Sequence, residues 1–131
     1  MHCVQLNTEK RIDMKEYRIN DCGMCVNADQ YGTKVNYIKV ALFPDGKWRF
    51  GASWHCFGAN YAGGGFGCGF GQNYKDQYAH ETERACINAG AKFMQEQYDR
   101  YMAVKQGDCR DLSDAISQIK SMLQPKQLSL F

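Results

Sequence analysis

Two strand-length runs that meet at one tight turn constrain this 131-residue chain more than any other feature. Val35 to Phe43 and Lys47 to Cys56 flank Pro44-Asp45-Gly46. Proline suits the first turn position and glycine a left-handed one, which predicts a three-residue hairpin loop with a bulge. If Phe43 pairs with Lys47, the numbers of paired residues sum to ninety, and opposed residues share a face of the sheet. One face then carries Ile38, Val40, Leu42, Trp48, Phe50, Ala52 and Trp54. The other carries Tyr37, Lys39, Ala41, Lys47, Arg49, Ser53 and His55. A slip of one residue would mix the apolar and basic sets, so the separation itself fixes the register.

The run Gly63-Gly64-Gly65-Phe66-Gly67-Cys68-Gly69-Phe70-Gly71 follows. Glycine alternating with Phe66, Cys68 and Phe70 predicts a strand with side chains on one face only. Its bare face admits another backbone or a ligand. Residues 79–105 read as a long helix, with Ala85, Ala89 and Phe93 as one stripe and Met94, Tyr98, Tyr101 and Met102 as the next. Glu81 and Glu83 fall in its first turns, where the helix dipole favours anions. A shorter helix is expected from Leu112 to Leu123, with Leu112, Ala115, Ile116, Ile119, Met122 and Leu123 as its apolar stripe and Asp111 as N-cap. Pro125 stops it. Before the hairpin, Cys3 to Leu6 suits a short strand, Thr8 to Tyr17 a weak helix and Asp21 to Cys25 a turn.

These elements predict an α+β domain over residues 1–123, followed by a tail over 124–131. An antiparallel sheet of three or more strands packs one face on the long helix, and the short C-terminal helix follows. Trp48, Phe50, Trp54, Phe66, Phe70, Ala89 and Phe93 are the expected core. A chain of this length can bury such a core without metal or disulfides.

The net charge of +2 names no partner, but its placement is uneven. Residues 31–75 hold Lys34, Lys39, Lys47, Arg49 and Lys75 against Asp45 alone. Basic groups beside an aromatic can hold phosphate and stack a base. Tyr37, Lys39, Lys47, Arg49 and His55 are therefore the candidate contacts to DNA or RNA. The plainer reading is the wet face of an antiparallel sheet, which carries Lys and Arg anyway. The strand–strand–strand–helix order is similar to that of double-stranded-RNA-binding domains. The long helix here lacks the lysine-rich N-terminal end that those domains use on phosphates.

Seven cysteines are an odd number, and no secretion signal precedes them, so reduced thiols buried as small apolar groups are expected rather than a disulfide framework. Cys22-Gly23-Met24-Cys25 has the spacing of half a zinc site, and no second pair completes it. Neither a metal nor a cofactor is expected. No apolar run approaches a membrane span. Met1-His2-Cys3-Val4-Gln5 has neither a basic flank nor an apolar signal core, so a cytoplasmic location is expected.

Catalytic patterns are poor. The glycine run lacks the βαβ setting of a dinucleotide fingerprint and the Gly-Lys-Ser/Thr of a phosphate loop. His55 and Cys56 are neighbours on one strand and point to opposite faces. His80-Glu81-Thr82-Glu83 lacks the second histidine of a metalloprotease helix. Asp108, Asp111 and Asp114 could hold a divalent ion, yet helix starts attract aspartate regardless. With no convergent acid, base and nucleophile, the chain reads as a non-enzyme.

The last five residues are more specific. Gln127-Leu128-Ser129-Leu130-Phe131 resembles the QL[SD]LF peptide by which bacterial polymerases, repair proteins and mobile-element proteins bind the β sliding clamp. Average residue frequencies make such a match on the order of one in a million at a fixed position. The resemblance implies that Leu128, Leu130 and Phe131 fill an apolar groove, that Gln127 orients the peptide and that Ser129 lets it bend. Burying three such side chains contributes roughly 5–9 kcal/mol before ordering costs, which suits micromolar binding. The contrary reading is an apolar tail folded back on its own domain. The expected function is thus an accessory or inhibitor of the clamp encoded by a phage or mobile element. A small nucleic-acid-binding module and a phage inhibitor of a host defence enzyme are the alternatives.

Overall fold

The computed structural model describes residues 16–56, 62–67, 79–104 and 109–123. The expectations for Cys3 to Leu6, for most of Thr8 to Tyr17, for Cys68 to Gly71 and for the tail lie outside those residues. The fold is α+β. Among the described residues five strands form one antiparallel sheet: β1 (Asp29–Gly32), β2 (Tyr37–Leu42), β3 (Trp48–Cys56), β4 (Ala62–Phe66) and β5 (Ala79–His80). Two helices follow, α1 (Glu83–Val104) and α2 (Arg110–Ser121). The spatial order is β1-β2-β3-β4, and β5 pairs with the start of β3 on the side that β4 takes at its end.

The β2–β3 hairpin has the expected register. Tyr37 faces Ser53, Val40 faces Phe50 and Leu42 faces Trp48. Its turn closes with Phe43 N–H donating to the Lys47 carbonyl at 2.9 Å, and Gly46 takes the left-handed conformation at φ 83°. The apolar face is the core face. Ile38, Val40, Trp48, Phe50 and Ala52 are buried against Cys86, Ile87, Ala91 and Met94 of α1 and Leu112, Ile116 and Ile119 of α2. Trp54, Phe66, Ala89 and Phe93 pack on this core half-buried, and Phe66 meets Phe93 edge-on at 5.2 Å between ring centres. Phe70 lies outside the described residues.

Three features differ from expectation. The long helix starts at Glu83 rather than at 79, because Ala79 and His80 pair with β3 and Thr82 caps the helix. Ala85 N–H donates to Thr82 Oγ1 at 3.0 Å, satisfying one of the unpaired first-turn donors. The buried face of α1 runs through Cys86, Ile87, Gly90, Ala91, Met94 and Gln97, whereas Ala85 and Met102 are exposed. Asp111 is not the N-cap of α2. Cys109 holds that position without a side-chain cap, and Asp111 in the first turn instead accepts from Thr33 Oγ1 at 2.5 Å and Asn36 Nδ2 at 2.7 Å. These bonds tie α2 to the β1–β2 connection.

The cysteines depart from expectation as well. Cys56, the last residue of β3, forms a disulfide with Cys109 at the start of α2, Cα atoms 4.7 Å apart. Both are buried in the core. Count and spacing could not reveal this pair, since it depends on the sheet bringing the end of β3 beneath α2. The expectation of buried small groups does hold for Cys86, which is fully enclosed. No helix among the described residues is long and apolar enough to cross a membrane.

Candidate functional site

The face of the sheet away from the helices divides into two parts. Near the hairpin turn it is covered: Ala41 and Phe43 are buried with Tyr17, Ile19, Cys25 and Ala28 packed against them. Asn20 builds this cover, its Oδ1 accepting from Cys22 N–H at 2.9 Å and Met24 N–H at 3.0 Å, an Asx-type turn. Cys22 and Cys25 therefore belong to a side-chain-braced turn. Among the described residues, no three His, Cys, Asp or Glu side chains cluster as metal ligands.

Arg49 falls under the covered part and is only 4% exposed. Its guanidinium donates to Asp45 Oδ1 at 3.0 Å and Oδ2 at 2.7 Å, and it lies 4.9 Å from the Phe43 ring centre. The fork of two parallel bonds holds the Asp45 carboxyl down at about 2. Lys47 pairs with Glu81, the residue after β5. Two of the five basic-face candidates thus have acidic partners and stand apart from the remainder.

The other three converge. Tyr37 and Lys39 of β2, with Ser53 and His55 of β3, line a cavity of about 370 Å³. Its base is Gly51, Gly65 and Gly67. The pairing explains this floor. Ser53 opposes both Tyr37 and Gly65, while Lys39 opposes Gly51, so the bare positions form a depression beside a polar rim. A side chain at Gly65 would run into the backbone of Ala52 and Ser53, so the close neighbour here is β3 itself. Met24 fills the space that a side chain at Gly67 would need.

The rim is held in place. Lys39 Nζ lies 5.6 Å from the Tyr37 ring centre, within cation–π range. Ser53 Oγ and His55 Nε2 are 3.2 Å apart, sharing a hydrogen bond. Behind them His55 N–H donates to Oδ1 of the fully buried Asn36 at 2.6 Å. His55 is thus anchored through Asn36 to Asp111 and the start of α2. Sequence reasoning did not single out Ser53, although its i,i+2 spacing from His55 on a strand was the available signal. His80 lies on β5 rather than on a helix, its ring 6.1 Å from Phe50, and burial lowers its imidazole pKa.

A third polar group sits at the opposite edge of the sheet. Tyr17 donates to Asp29 Oδ2 at 2.5 Å, and burial together with that carboxylate pushes its phenol far up. Tyr31 is pushed up to about 12, chiefly by burial and then by Glu83. Both phenols stay protonated and join β1 to its surroundings. Gln127 to Phe131 and Asp108 lie outside the described residues. No family model, curated protein or solved structure matches the chain.

Proposed function

We propose that the protein is a non-enzymatic accessory or inhibitor that docks on the bacterial β sliding clamp through Gln127, Leu128, Ser129, Leu130 and Phe131. The five-residue agreement with the clamp-docking peptide carries this reading. What is known of α2 agrees with it. The helix buries Leu112, Ala115, Ile116 and Ile119 and ends at Ser121. Its buried stripe lies wholly ahead of Pro125 and the peptide in the sequence. A phage or mobile-element source fits a small chain of this kind.

The test is capture of purified clamp by the full chain and by a chain lacking residues 127–131. Deletion should abolish capture and leave the melting temperature nearly unchanged. Retained capture would end the proposal. So would a large fall in melting temperature, which would mean that the tail covers its own domain. Adding the protein to clamp-dependent DNA synthesis then separates a recruited accessory from a blocker, since only the blocker inhibits.

A second reading has its own observation: Tyr37, Lys39 and His55 meet at one glycine-floored cavity. On this reading the sheet face binds nucleic acid. The two functions are compatible, because a weak DNA contact beside a clamp contact raises binding through effective concentration.

A further inference from the structure

We infer that the cavity between β2, β3 and β4 seats one unpaired nucleotide, so that the ligand of this face is a single strand rather than a duplex. The inference rests on the nucleic-acid reading of the face and narrows it. The volume of about 370 Å³ stands at the low end of small-ligand sites, which run from roughly 300 to 1,000 Å³. That is room for one nucleotide and not for several.

The chemistry of the walls divides as a nucleotide divides. Gly51 and Gly65 present backbone without side chains, a surface on which a flat base can lie. The Tyr37 ring stands at its edge, and aromatic rings hold splayed bases regardless of sequence. Lys39 Nζ lies over that ring, 5.6 Å from its centre, and supplies the cation for the phosphate. Among the described residues Lys39 makes no ion pair, in contrast to Lys47 and Arg49. Ser53 and His55 add a hydroxyl and an imidazole at the rim.

A duplex fits this shape badly. Its bases are stacked inside, and it offers a convex phosphate surface that cannot enter a depression floored below Tyr37 and Lys39. Reading a duplex groove requires a protruding helix or ribbon. Here the two described helices lie on the other face of the sheet.

The test uses the full chain and measures anisotropy of labelled oligothymidylate, oligouridylate and a duplex of equal length, from low salt upward. The two single strands separate DNA from RNA as the source of the nucleotide. At least one single strand should bind more tightly than the duplex. Lys39→Gln should weaken it several-fold and make the salt slope shallower by about 0.7, the value for one phosphate contact on a single strand. Tyr37→Leu should weaken it five-fold or more, while Lys34→Gln, off the cavity, should change nothing. Unfolding curves check that each variant is folded. Equal affinity for duplex and single strand, with Lys39→Gln weakening both alike, would overturn the nucleotide seat and leave the basic face standing. No binding of any probe at low salt would overturn both.

Discussion

Arg49 shows how a single side chain can be misplaced by a correct pattern. The period of two puts it on the same face as Lys39, and the pairing with Ala41 agrees. What the pattern omits is Asp45, four residues back across the hairpin turn, whose carboxylate folds over the guanidinium. Of the five residues the pattern groups, Tyr37, Lys39 and His55 line one cavity, and Lys47 and Arg49 do not. The Asp45–Arg49 contact has a pH signature. The Asp45 carboxyl is lowered from 3.8 to about 2, first by its hydrogen bonds from Arg49. A lowered folded-state value stabilises the protein above the unfolded pKa, and that contribution disappears as pH falls from about 4 to about 2. Asp45→Asn should flatten the stability profile across that window in urea titrations. At neutral pH it should cost about 1–2 kcal/mol, because the buried guanidinium loses the charge and one of the two bonds it makes to this side chain, while the half-exposed Asp45 side leaves part of the pair to water. An unchanged acid profile would mean that the pair contributes nothing.

At the level of elements, the hairpin and α2 were legible because each separates apolar from polar residues at its own period. The elements that were missed lack such a separation. β1 reads Asp-Gln-Tyr-Gly and is a strand because β2 offers it an edge. β5 is two residues long. The buried face of α1 was read only in part, through Ala89, Phe93, Met94, Tyr98 and Tyr101, and one residue it missed is Gly90, which lies against Ile38 of β2 and carries no hydrophobic signal. A Cβ at Gly90 would lie 2.8 Å from Ile38 Cδ1 and 3.1 Å from Ile38 Cγ2, and Ile38 is fully buried. Gly90→Ala therefore sets two effects against each other. Helix propensity gains about 1 kcal/mol. Overpacking a filled core costs about 1–3 kcal/mol. The second should win, giving a net loss near 1 kcal/mol by urea unfolding. Ile38→Val removes Cδ1, so Gly90→Ala should be neutral or stabilising in that background. A gain in the parent protein would show that α1 can shift away from β2.

For the whole molecule, the Cys56–Cys109 link decides how the two halves are held. It closes a span of 53 residues containing β4, β5 and α1, and it fastens the end of β3 to the start of α2. In the chain-entropy account a loop of this length removes about 4 kcal/mol of freedom from the unfolded state, with about 2–4 kcal/mol the usual yield. A reducing compartment would open it, leaving two thiols that are already buried among apolar neighbours. The fold should thus survive reduction with lower stability. Cys109→Ala should lower the unfolding free energy by about 2–4 kcal/mol under oxidising conditions, and reductant should then have little further effect. Equal stability of the parent with and without reductant would mean that the link does not form in solution. The proposed docking peptide follows the far end of α2 in the sequence, and Gln127 comes eighteen residues after the disulfide-linked Cys109. Reduction should therefore shift the unfolding midpoint while clamp capture stays the same. Loss of capture on reduction would instead make the peptide's availability depend on how α2 is anchored.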